Sequence, residues 1–104
     1  MVTRLAFGLA VLLLLAAPED CCAKVRYAGG DGTSFDAAIV VQDAQGESDG
    51  VIAEYAWLKK NYGDWNPREQ SLVANKDRKY DVIEISKGAE TKRVYFDITS
   101  FFGK

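Results

Sequence analysis

The 104-residue chain contains no histidine. A histidine general base, a Ser-His-Asp triad, a Cys-His dyad and a zinc site built on imidazole are therefore closed to it. Cysteine is nearly absent: Cys21 and Cys22 stand side by side near the front and nowhere else. Two adjacent cysteines build neither a disulfide framework nor a C-x-x-C site. An excess of one charge is also lacking. Thirteen basic residues face fifteen acidic ones, for a net charge of −2. A nucleic-acid binder carries a clear basic excess, so no nucleic-acid partner is expected. Repeats, low-complexity tracts and charge blocks are missing between Lys24 and Lys104, and both signs are mixed along the chain. Such a surface has no field strong enough to steer a charged partner. At this length the chain holds one small domain with one core.

The front of the chain has the pattern of an export signal. Met1 to Arg4 is a short n-region with one positive charge, followed by an uncharged, mostly apolar run over residues 5–17. That run is too short to cross ~30 Å of hydrocarbon, which takes ~20 helical residues. It fits the h-region of a secretory signal, and Pro18 then breaks the helix. Cleavage after Ala23 places Cys21 and Ala23 at the two small-residue positions. The expected division is a signal peptide over residues 1–23 and a single domain over residues 24–104. The alternatives are a lipid anchor at Cys21, for which Pro18, Glu19 and Asp20 are a poor preceding match, and an uncleaved N-terminal anchor. Cleavage leaves a mature chain with no cysteine and no membrane span. The short n-region points to the bacterial periplasm or to secretion.

The mature part opens with residues 24–27, a short extended piece or a loose end. Gly29-Gly30-Asp31-Gly32 is a turn cluster, and Ser34 or Thr33 can cap one short turn behind it. Residues 38–41 are brief, apolar and β-branched, as in a buried strand. A helix is predicted over residues 48–62, with Ser48 or Asp49 as N-cap and Gly63 as its stop. Val51, Ile52, Tyr55, Leu58 and Tyr62 recur at spacings of three and four and form its apolar stripe. Glu54, Lys60 and Asn61 fall mainly on the other side. Residues 64–67 read as a loop. Strands are predicted over residues 70–73, 79–86 and 92–98, joined by turns. In the last of these Val94, Phe96 and Ile98 share one face, and Arg93, Tyr95 and Asp97 the other. The order β-α-β-β-β implies an α+β domain of two layers: one amphipathic helix packed on a small, mainly antiparallel sheet. Residues 39–41 are expected to join that sheet.

Three segments carry a resemblance. They are Gly29-Gly30-Asp31-Gly32-Thr33-Ser34-Phe35, then Ala53-Glu54-Tyr55-Ala56-Trp57-Leu58, then Val94-Tyr95-Phe96-Asp97-Ile98-Thr99-Ser100-Phe101-Phe102-Gly103-Lys104. Together they make the chain similar to a family of short, uncharacterised bacterial proteins, many with an export signal. The likeness covers most of the mature part. It implies a small secreted or periplasmic domain, and it brings no activity and no catalytic residues.

Several constellations could carry chemistry. The Gly29–Gly32 turn could cradle an anion on its N–H groups, but it lacks the lysine and long helix of a phosphate loop and reads first as a structural turn. Asp31 and Asp36 look like fragments of a calcium loop without its remaining oxygen ligands. Asp97 could pair with Glu84 or Asp81 as a catalytic carboxylate dyad, or simply with Arg93 or Lys79 as an ion pair. Phe101 and Phe102 read as a hydrophobic plug. Tyr62 and Trp65 flank a tight loop where aromatics could anchor a partner or close the core, and Trp57 sits at the edge of the stripe. The expected function is a non-enzymatic, exported binding or inhibitory module, or an envelope accessory protein. It would contact an unidentified protein partner through Tyr62, Trp65 and Trp57 together with the exposed sheet face. No cofactor and no metal are expected. The alternatives are a small carboxylate-dependent hydrolase and a structural envelope component that self-assembles through an open sheet edge.

Overall fold

Two tight turns fold the C-terminal half of the chain into a meander. Asn75 lies opposite Arg78, and Lys87 opposite Glu90, so each connection has two residues. The first of each pair takes a positive φ, 60° at Lys76 and 61° at Gly88. Hairpin turns of this hand follow the right-handed twist of the strands they join. The computed structural model describes residues 25–104; the expected signal peptide, with Cys21 and Cys22, lies outside the described residues. The described elements are β1 (Arg26–Gly29), β2 (Ile39–Gln42), α1 (Glu47–Asn61), β3 (Asn66–Asn75), β4 (Arg78–Lys87) and β5 (Glu90–Asp97).

The five strands form one sheet in the order β1-β2-β5-β4-β3. Its one parallel pairing, β2 with β5, needs a long crossover, which α1 and the β3–β4 hairpin provide. The expected α+β architecture, one helix on a mainly antiparallel sheet, is what the chain adopts. The residues predicted to be a short extended piece or a loose end supply the start of β1.

The main core lies between α1 and the sheet. Ile83 and Ile85 on β4, Val94 and Phe96 on β5, Ile39 and Val41 on β2, and Ile98 face Ala53 and Leu58 of the helix, with Phe101 behind them. On the far face Phe35 packs edge-on against both Tyr80 and Tyr95, at 4.9 Å from each ring. With Val73, Val82 and Ala38 it forms a second cluster. Segment 30–37 therefore covers part of the side of the sheet that α1 leaves open.

Three local expectations are corrected. The helix starts at Glu47, one position before the predicted cap, and Gly46 precedes it without a side-chain cap. Residues 98–104 curl back and serve instead. The Glu47 N–H donates to the Lys104 carbonyl, and the Gly103 N–H donates to Glu47 Oε2 at 2.7 Å. At its other end the Tyr62 N–H closes onto Leu58, ahead of Gly63.

The buried stripe is also rotated from the predicted one. Gly50, Ala53, Glu54 and Leu58 face inward, while Ile52 is 69 % exposed. A Cβ at Gly50 would lie 2.1 Å from the Phe101 ring, so this glycine is where the helix can approach that plug. Phe101 is 1 % exposed, whereas Phe102 is 37 % exposed, so only the first phenylalanine fills the plug role.

Finally, β3 runs over ten residues and begins inside the predicted loop. Pro67 is accommodated because β3 is an edge strand, where a missing N–H need not cost a ladder bond. A bulge between Pro67 and Glu69 marks the same place.

Candidate functional site

The C-terminal end of α1 gathers the three aromatics expected to bind. Trp57 stands edge-on to Phe96 at 5.6 Å and tilted against Tyr62 at 6.0 Å. Tyr62 in turn meets Trp65 edge-on at 6.0 Å. The Trp65 backbone N–H donates to the Tyr62 carbonyl at 2.9 Å, tightening the chain after α1, and the Trp65 side chain packs back against the core. All three rings are half-buried. Trp57 is tied to the core, while Tyr62 and Trp65 line a hollow of about 290 Å³ with Tyr55, Lys59 and Pro67. The Lys92 ammonium lies 5.7 Å from the Trp65 ring, within range of a cation–π contact. Leu58 and Ile85 close the hollow from the core side. The arrangement can receive an apolar or aromatic side chain, with Lys59 in the lining and Lys92 against the Trp65 ring.

A second feature was invisible to the helical periodicity. Glu54 is fully buried beneath α1, and neither of its carboxyl oxygens has a hydrogen-bond partner among the described residues. Burial pushes its pKa up to about 9, aided by the neighbouring Asp81 carboxyl, which disfavours a second anion beside it. A protonated Glu54 can rotate its O–H onto the Asp81 carboxylate. Glu54 and burial together also raise the Tyr27 and Tyr55 phenols, burial being the larger cause in both. Their hydroxyls donate to the Ala53 carbonyl and to Gln70 Oε1. Asp81 lines a smaller hollow of about 170 Å³ with Val51, Gln70, Leu72, Phe101 and Phe102, but Glu54 does not reach it. The signal that could have found half of this pair is the period of two: Asp81 shares its face with Ile83 and Ile85.

The carboxylate dyad that Asp97 could build with Glu84 or Asp81 does not form. Asp81 belongs to the helix side of the sheet, where it meets Glu54, and Asp97 is held by Arg78 and Thr99. Neither Arg93 nor Lys79 is its ion-pair partner; the register that sets Tyr80 opposite Asp97 brings Arg78 within reach instead. Burial pushes the Asp97 carboxyl up, but the Arg78 and Thr99 hydrogen bonds and the Arg78 charge outweigh it, holding the group below its ordinary value. Glu84 lies on the outer face with Glu69 opposite it and Arg93 on its other side. These three line a shallow hollow of about 330 Å³ with Phe35 and Tyr95.

The N–H groups of the glycine turn are spent internally. Gly30 donates to the Ala38 carbonyl and Gly32 to that of Ala37. Asp31 accepts from the backbone and hydroxyl of Thr33, which holds its carboxyl low. Among the described residues no group of three acidic or sulfur ligands converges as a metal site, and no helix is long and apolar enough to cross a membrane. No protein-family model matches the chain, and neither a curated protein nor a solved structure matches it.

Proposed function

We propose that the chain is an exported, non-enzymatic contact module, periplasmic or secreted. It acts as a binding or inhibitory domain, or as an envelope accessory protein, by gripping an apolar side chain of a protein partner. The observation that supports this reading is the hollow between α1 and β3. Tyr62 and Trp65 stand half-open around it, over a floor of Leu58 and Ile85. Aromatic walls around a desolvated floor are the usual anchor points of protein contacts. The export half of the reading rests on the pattern of residues 1–23 and on the resemblance to short exported bacterial proteins.

Crosslinking and pull-down from the native envelope fraction tests it. Wild-type protein should capture a partner that Trp65→Ala recovers at least about tenfold less well, the loss expected when an anchoring aromatic is truncated. Equal recovery by the two proteins, both shown folded by circular dichroism, overturns it.

One observation favours a second reading, a small hydrolase dependent on carboxylates. Asp81 lies in the wall of a hollow with a raised-pKa carboxyl behind it. Opposed to this is the complete burial of Glu54, since a general acid must reach the atom it protonates.

A further inference from the structure

We infer that the protein forms a symmetric dimer in which β3 pairs antiparallel with β3 of a second copy, with Leu72 on the two-fold axis. The inference is independent of the aromatic hollow and of any partner held there. It begins with the hydrogen bonds that β3 leaves unused among the described residues. A two-residue hairpin turn makes its flanking residues a hydrogen-bonded pair, so Asn75 bonds to Arg78. Bonded and non-bonded pairs then alternate along an antiparallel ladder. Val73 and Ser71 bond to β4, and the N–H and carbonyl groups of Gln70, Leu72 and Ala74 point out of the sheet.

These groups lie at an edge that little protects. Natural edge strands are kept short or interrupted by proline, lysine or a bulge. The opposite edge, β1, has four residues. β3 has ten, and its proline and its bulge both lie before Glu69. From Glu69 to Asn75 there is no proline, no lysine and no register shift. Leu72, in the middle, is 57 % exposed.

The symmetry of this stretch selects the occupant. The regular segment is bounded by the bulge on one side and the turn at Lys76 on the other, and its midpoint is Leu72. The outward-facing residues Gln70, Leu72 and Ala74 are arranged evenly about the same midpoint. Full antiparallel overlap with a second copy therefore sets Leu72 against Leu72 and Gln70 against Ala74. All six outward N–H and carbonyl groups of each copy find partners. On the outer face Ser71 meets Val73 and the Glu69 carboxylate meets the Asn75 amide, so within the regular segment no like charges stand directly opposite; Arg68 and Lys76 approach each other only at the bulge and the turn that bound it. The net charge of −2 adds little repulsion between copies. A closed two-fold contact of this kind uses one patch twice. It joins the two sheets into one of ten strands, with both helices on the same side.

Sedimentation and amide exchange on the protein as cells accumulate it test the inference. At on the order of 100 μM, a concentration suited to a small interface, wild type should sediment at twice the protomer mass. Leu72→Lys should weaken association on the order of 100-fold by setting two ammoniums together at the axis. This exposed side chain can be changed without disturbing the core. Amides of Gln70, Leu72 and Ala74 should exchange slowly in wild type and fast in Leu72→Lys, with Ser71 and Val73 slow in both. A monomeric wild type overturns the inference. So does a dimer indifferent to Leu72→Lys, or one in which the amides of Gln70, Leu72 and Ala74 exchange fast.

Discussion

Glu54 and Asp81 bring two carboxyl groups together in the space between α1 and β4, with Glu54 sealed from solvent. A core of this size would be better served by an apolar side chain at position 54, because a buried polar group without a fixed partner costs about 1–3 kcal/mol. The pair is therefore a weak point of the fold with a pH signature. In the unfolded chain Glu54 ionises near 4.5; in the folded protein it keeps its proton to about pH 9. Its contribution is fully present below the lower value and is lost as pH rises toward the upper one.

Glu54→Gln should remove that loss. Wild type should lose stability with rising pH by up to about 1.4 kcal/mol per unit across this window, and the variant should show a much flatter profile. Urea midpoints measured from pH 4 to pH 9 check it. Parallel profiles for the two proteins would mean that Glu54 is ionised and solvated in the folded state.

Asp97 acts in the opposite direction. Its folded pKa lies below the ordinary 3.8, so its stabilisation is present above that value and lost as pH falls through the lower one. Asp97→Asn should cost about 2 kcal/mol at neutral pH through the charge-assisted bonds to Arg78 and Thr99. The penalty should shrink toward pH 2. Taken with Glu54, this makes the wild type lose stability in both directions, through Glu54 as pH rises and through Asp97 as it falls, and the same urea series would locate the maximum between them.

Gly50 and Phe101 form a fitted pair across the helix–tail contact. Gly50→Ala drives a methyl into the ring and should cost about 1–3 kcal/mol by overpacking. Phe101→Ala should cost about 3–5 kcal/mol by emptying the site. The double variant should lose less than the sum of the two, because the new methyl occupies part of the hole that the missing ring leaves. Thermal unfolding of the three variants measures the coupling, and strict additivity would show that helix and ring do not share that space.

The sheet was legible because its signal is local. Val94, Phe96 and Ile98 alternate in sequence, and the same alternation carries them to one face of β5 and its extension. The turns at Lys76 and Gly88 announced themselves through the residues around them. The rotation of α1 was not legible, since it depends on a ring fifty-one positions away. A wheel drawn from apolar residues alone counts Gly50 as nothing and Glu54 as surface, and is drawn toward Ile52. The cap at Glu47 was hidden for the same reason, being supplied by Lys104. At the candidate site, Tyr62 and Trp65 were found from the loop chemistry between them. The sequence offers Asp81 only as a possible partner of Asp97; its actual neighbour, Glu54, lies on the helix whose face is misassigned.

That rotation has a direct mutational test. If the predicted stripe were the buried one, Ile52→Ser would empty a core position and cost several kcal/mol, as large-to-small changes do inside a packed domain. With the side chain 69 % exposed, the change should stay within about 0.5 kcal/mol. Leu58 belongs to both stripes and is 3 % exposed, so Leu58→Ala should cost about 3 kcal/mol under either orientation and calibrates the assay. Ala53 separates them from the other side. It is buried in the rotated stripe, so Ala53→Lys would force an ammonium against Ile39 and Phe96 and should unfold the domain, whereas a helix resting on Ile52 would carry that lysine in water. Unfolding midpoints for the three variants therefore fix which face of α1 meets the sheet.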